Sequence, residues 1–152
     1  MLAALTACCL PVLMLEAAPA GAVPAGVGYW LVAQDGGVFT FGDAGYYGNL
    51  VGVVSSTGGT KAVALAVDPR GGGYWLASAN GAVAAFGDAP SFSSAAGLPL
   101  SAPIVGLVAT PDGGGYWDVA ADGGVFSYGD AHFYGSVGGR RLNAPVDGIA
   151  SS

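Results

Sequence analysis

The stretch Gly115-Tyr116-Trp117-Asp118-Val119-Ala120-Ala121-Asp122-Gly123-Gly124-Val125-Phe126-Ser127-Tyr128-Gly129-Asp130-Ala131 sets two short apolar runs on either side of Asp122-Gly123 and closes on Gly-Asp-Ala. Gly, Asn and Asp adopt positive φ angles at low cost, so Asp-Gly between β-favouring runs predicts a hairpin with a type I′ turn. Its arms are 116–120 and 125–128. Gly129-Asp130-Ala131 then makes a corner, at which the Asp130 carboxylate is expected to cap backbone N–H groups.

The same landmarks occur three times, at Gly28-Tyr29-Trp30, Gly73-Tyr74-Trp75 and Gly115-Tyr116-Trp117, with successive tryptophans 45 and 42 residues apart. Asp35-Gly36 and Asn80-Gly81 match Asp122-Gly123, and Asp43 and Asp88 match Asp130. All length variation falls between Gly-Asp-Ala and the next Gly-Tyr-Trp, which places the loop there. A third strand is expected at 46–50 and 133–137. A fourth is expected before each Gly-Tyr-Trp, at 62–67 and 103–109, with a terminal one at 145–150. Pro/Gly turns at 68–72 and 110–114 stop it. Four short strands in roughly 43 residues are the content of one β-propeller blade.

The composition agrees with an all-β chain. Among 152 residues there are 28 glycines, nine prolines, seven tyrosines and six phenylalanines, and charged residues make up only 9%. Gly and Pro interrupt helices, while aromatics suit a pleated surface. The net charge of −6 and the few cations (Lys61, Arg70, Arg140, Arg141) argue against nucleic acid as a partner.

Residues 1–20 read as a signal peptide, an apolar run over 2–15 followed by Ala18-Pro19-Ala20 as cleavage site, so a secreted or cell-surface location is expected. The repeat domain then spans 21–152, with repeats at about 28–60, 61–102 and 103–144. Both cysteines, Cys8 and Cys9, fall in the leader, which leaves the mature chain without a thiol, disulfide or cysteine metal site. Leu5-Thr6-Ala7-Cys8 has the form of a lipobox, the alternative being a lipoprotein anchored at Cys8. No cofactor and no metal is expected.

The repeats resemble those of secreted actinobacterial tandem-repeat proteins, whose copies read GYW, a hydrophobic run, DGG, an aromatic run and FGDA, then an aromatic YGS segment, a PIVG strand and a TPDG turn. The match spans residues 28–150 and is closest at Gly115 to Ser136. The resemblance implies a β-propeller on an exported, surface-associated protein. Copy two departs from the pattern with Asn80, Ala82, Ala84 and Ser93-Ser94, the last read against Tyr47-Gly48 and Tyr134-Gly135, so a binding role of the aromatic strand is not expected there. Residues 110–117 also fit an Asp-box turn, in which Arg70 takes the place of Asp112 in copy two; such a turn is structural and signals no activity.

Three repeats fall short of the four to eight blades of a closed propeller. The expectations are a fragment or partial propeller of a longer repeat protein, a homodimer completing a six-bladed ring, or a β-trefoil.

Residues repeated in phase read as scaffold: Asp43, Asp88 and Asp130 as turn caps, and Trp30, Trp75 and Trp117 as packing between units. Residues that break the repeat are the candidates for chemistry. Asp118 stands where Leu31 and Leu76 do, His132 replaces Gly45 and Pro90, and Asp147 replaces Val63 and Val105. Tyr46, Tyr47, Phe133 and Tyr134 are candidates for stacking on sugar rings. The expected function is a non-catalytic binding or scaffolding module at the cell envelope, with a cell-wall glycan or surface protein as ligand. The alternative is a propeller-type glycoside hydrolase with Asp118 or Asp147 as its acid.

Overall fold

The computed structural model describes residues 27–52 and 60–152. The leader, with Cys8, lies outside them. The described residues are all-β: β1 (Gly28–Val32), β2 (Val38–Gly42), β3 (Ala62–Val67), β4 (Gly73–Ser78), β5 (Val83–Gly87), β6 (Ile104–Ala109), β7 (Gly115–Ala120) and β8 (Val125–Gly129). They form three antiparallel sheets, β1-β2, β3-β4-β5 and β6-β7-β8. No described helix is long and apolar enough to cross a membrane.

Each Gly-Tyr-Trp opens the hairpin that its Gly-Asp corner closes, with Gly28 opposite Gly42, Gly73 opposite Gly87 and Gly115 opposite Gly129. The corner folds onto the first glycine so tightly that a Cβ at Gly73 would stand 2.5 Å from both Ala89 N and Phe86 O. Gly42, Gly87 and Gly129 take φ of 68°, 67° and 69°, a left-handed backbone that side chains disfavour.

The hairpin turn differs from expectation. Asp35, Asn80 and Asp122 do not have positive φ; only the glycines after them do, at 89°, 84° and 81°. Ala33 O accepts the Gly36 N–H at 2.9 Å, and the Ala33 N–H donates to Gly37 O at 2.8 Å, which makes a three-residue connection ending in a glycine bulge in place of a type I′ turn. The side chains explain the choice. Asp35, Asn80 and Asp122 each accept the N–H two residues on, at 2.9, 3.1 and 3.0 Å, an Asx cap that a right-handed backbone permits.

The expected third strand is corrected as well. Residues 46–50 and 133–137 join no ladder, so among the described residues the second and third units hold three strands where four were expected, and the first holds two. Their backbone groups are claimed elsewhere. Leu50 and Val137 each donate one N–H, to Gly36 O and Gly123 O, and carbonyls just upstream accept from the tryptophans. Residues 145–150 likewise form no ladder strand. β3 and β6 pair with the Gly-Tyr-Trp strands that follow them, whereas 145–150 lies along β6, with Gly148 and Ile149 close on Gly106.

One backbone bond links each unit to the next. Ala62, Ile104 and Val146, in phase with one another, donate to Gln34 O, Ala79 O and Ala121 O. Between sheets, alternation sends Tyr74 and Leu76 toward the first repeat, with Val38 and Leu50, and Trp75 and Ala77 toward the third, with Tyr116, Ile104 and Leu107. β4 is therefore buried along its whole length.

Candidate functional site

A single socket is built at each junction between repeats. The tryptophan forms its floor, held by its indole N–H: Trp30, Trp75 and Trp117 donate to Gly45 O, Pro90 O and His132 O, each at 2.8 Å. The next repeat inserts its tyrosine. Tyr74 lies edge-on to Trp30 and Tyr47, with centroids 6.3 and 5.5 Å away, and Tyr116 meets Trp75 and Phe92 at 5.8 and 5.7 Å.

The tyrosine hydroxyl then satisfies backbone groups just past the corner of the preceding repeat. Tyr74 donates to Gly48 O at 2.6 Å and accepts the Tyr47 and Gly48 N–H groups, while Tyr116 donates to Ser93 O at 2.9 Å. Burial raises the Tyr116 hydroxyl pKa further above its ordinary value, with the Asp118 charge the next cause. Tyr74→Phe leaves those Tyr47 and Gly48 groups without their partner, and an unfolding experiment in urea is expected to show a loss of about 1–3 kcal/mol. Tyr29→Phe, on a 58% exposed ring, is expected to change stability by less than about 0.5 kcal/mol.

This geometry corrects the reading of copy two. Phe92 is in phase with Tyr47 and Tyr134, and Ser93 with Gly48 and Gly135, so the aromatic is retained there and fills the same role. The Asp-box position is also compensated. In copy three Thr110 Oγ1 accepts the Gly115 N–H and Asp112 accepts the Gly114 N–H. In copy two Asp68 takes the threonine's place and grips Arg70, which takes the aspartate's, at 2.8 Å. The Arg70 side-chain bond is the main cause holding the buried Asp68 carboxyl below its ordinary pKa.

The four aromatic candidates fall into two sets. Tyr47 and Tyr134 are socket walls: Tyr47 is 38% exposed beneath Tyr74, whereas Tyr134, with no tyrosine above it, is 84% exposed. Tyr46 and Phe133, also in phase, are 55% and 52% exposed and enter no ring contact among the described residues. The Asn49 amide donates to the Tyr46 hydroxyl.

The other candidates lie apart. Asp118 is fully buried at the junction of repeats two and three, neither carboxylate oxygen has a hydrogen-bond partner, and burial pushes its pKa up to about 7. It is thus not hydrogen-bonded to His132, whose exposed ring packs on Tyr134 at 4.8 Å. Asp147 is exposed on 145–150. A perturbed carboxyl is a common mark of an active site; a substrate, however, has no access to this one in the folded chain. Asp43, Asp88 and Asp130 each donate a backbone N–H, to Val27 O, Gly72 O and Gly114 O, and Asp130 accepts from Thr110 Oγ1 at 3.5 Å. Among the described residues no group of three or more His, Cys, Asp and Glu side chains could hold a metal.

Sequence reasoning missed Tyr74, Tyr116, Phe92 and Asp68. A signal was present for the first three, since each recurs in phase with an aromatic in another copy. No protein-family model, curated protein or solved structure matches the chain.

Proposed function

We propose that this chain is a non-catalytic binding module of the cell envelope, built as a propeller-like array and presenting exposed aromatic rings to wall glycan. The observation that carries the reading is the pair Tyr46 and Phe133, rings in phase in two repeats, half exposed and not consumed by packing between units. Sugar rings stack on such faces because their C–H groups match the aromatic π surface, and adjacent polar groups add orientation; Asn49 supplies one beside Tyr46. Export is supported by the apolar leader with its Ala18-Pro19-Ala20 site. The propeller-like arrangement is supported by two separate apolar clusters, one at each junction between consecutive sheets, whereas a trefoil gathers its three units around one shared core.

Retention of the full chain on purified, insoluble wall glycan tests the reading. Tyr46→Ala with Phe133→Ala is expected to weaken retention by about tenfold or more. Asp118→Asn with Asp147→Asn is expected to leave it unchanged. Release of soluble sugar that stops with either aspartate change would instead establish the hydrolase.

A further inference from the structure

The third repeat carries an open copy of the socket that Tyr116 fills in the second. A groove of about 380 Å³ is lined by Val108, Trp117, Val125, Tyr134 and Ile149. Each is in phase, 42 residues on, with a residue that surrounds Tyr116: Ala66, Trp75, Val83, Phe92 and Leu107. Gly135, also at the groove, is in phase with Ser93, whose carbonyl accepts the Tyr116 hydroxyl. At the opposite end, β1 presents Tyr29 and Leu31, 58% and 52% exposed, in phase with the fully buried Tyr74 and Leu76 that fill the first socket.

We infer that the Trp117–Tyr134 groove receives the Tyr29 edge of a second copy of this chain, in a head-to-tail contact that repeats the one between its own repeats. Two junctions inside the chain already display this interface, with the same aromatic wall, the same tyrosine and the same hydroxyl-to-carbonyl bond. The two faces differ from each other, so the contact is heterologous, and two copies can satisfy both pairs of faces at once. The inference does not depend on the glycan reading.

Light scattering of the full chain across a concentration series is expected to show mass rising toward twice that of one chain. Tyr29→Arg and Tyr134→Glu each spoil one face at exposed positions, and each alone is expected to stay monomeric while melting as the parent does in dilute solution. Mixed in equal amounts, they are expected to form a one-to-one dimer, because each keeps the face that the other lacks. A parent that stays monomeric at every concentration overturns the inference, as does dimerisation by either variant alone. A mixture of folded variants that does not pair overturns it too, since a contact of like faces cannot be rescued by mixing.

Discussion

Trp75→Ala is expected to cost about 3–5 kcal/mol, a large part of what holds a domain of this size together. The indole is fully buried between the second and third sheets, against Phe92 and Tyr116. Its removal opens a cavity that both neighbouring strands are too well paired to close, and it leaves Pro90 O without its donor. Trp117 has the same hydrogen bond and sits at the same phase, yet its outer face meets the open groove. Trp117→Ala is therefore expected to cost only about 1–2 kcal/mol, the transfer energy of a half-buried ring. Urea unfolding of both variants, at a dilution where the chain is a single copy and the groove is uncovered, checks the contrast. Equal losses at the two sites would mean that sheet-on-sheet stacking is not what the tryptophans support.

That contrast was only half legible in the sequence. Gly-Tyr-Trp and Gly-Asp-Ala recur without slips, and steric necessity lies behind them: the corner leaves no space for a Cβ at Gly73, and Gly87 sits at positive φ. Such demands act locally, so a pattern of residue types reveals them. Strand pairing beyond the hairpin depends on competition for backbone groups. Residues 46–50 open on two aromatics that suit a strand, but Trp30 and Tyr74 reach carbonyls and N–H groups in and beside this segment that a ladder would need. The turn type was missed for a similar reason, because the Asp35 side chain caps the backbone and removes the need for its own φ to turn positive.

The candidate site shows the same division. Phase alone identifies Tyr46 and Phe133 as one position, and Tyr47, Phe92 and Tyr134 as another, yet only the stacking of repeats reveals that Tyr47 and Phe92 lie under the next repeat's tyrosine while Tyr134 stays open. Asp68 and Arg70 were illegible, because each breaks the Asp-box pattern singly and the two restore it together.

Asp118 supplies the largest expected dependence on pH. Its ordinary value of 3.8 is raised to about 7 by burial at a junction where Leu76, its counterpart in copy two, is an ordinary apolar contact. The folded chain then holds a proton that the unfolded chain has released. Stability is fully present below pH of about 4 and falls as pH rises through about 7, by up to about 4 kcal/mol. The titratable neighbours do not produce this slope: Tyr116 and Tyr128 are both shifted upward, away from the window, and Asp68 and Asp112, held low, lose their contribution only on acidification below their ordinary value of 3.8. Asp118→Leu is expected to flatten the profile between pH 4 and pH 7 and to leave the chain more stable than the parent by about 2–4 kcal/mol at pH 8, after allowance for the bulk of the larger side chain. Asp118→Asn should be equally flat but less stable than the leucine variant, because a buried amide lacks partners where the carboxyl lacked them. Thermal melts of the three proteins across that range decide the matter. A parent whose melting temperature does not fall between pH 4 and pH 7, or a leucine variant that keeps the fall, would show that the carboxyl is not buried between repeats two and three.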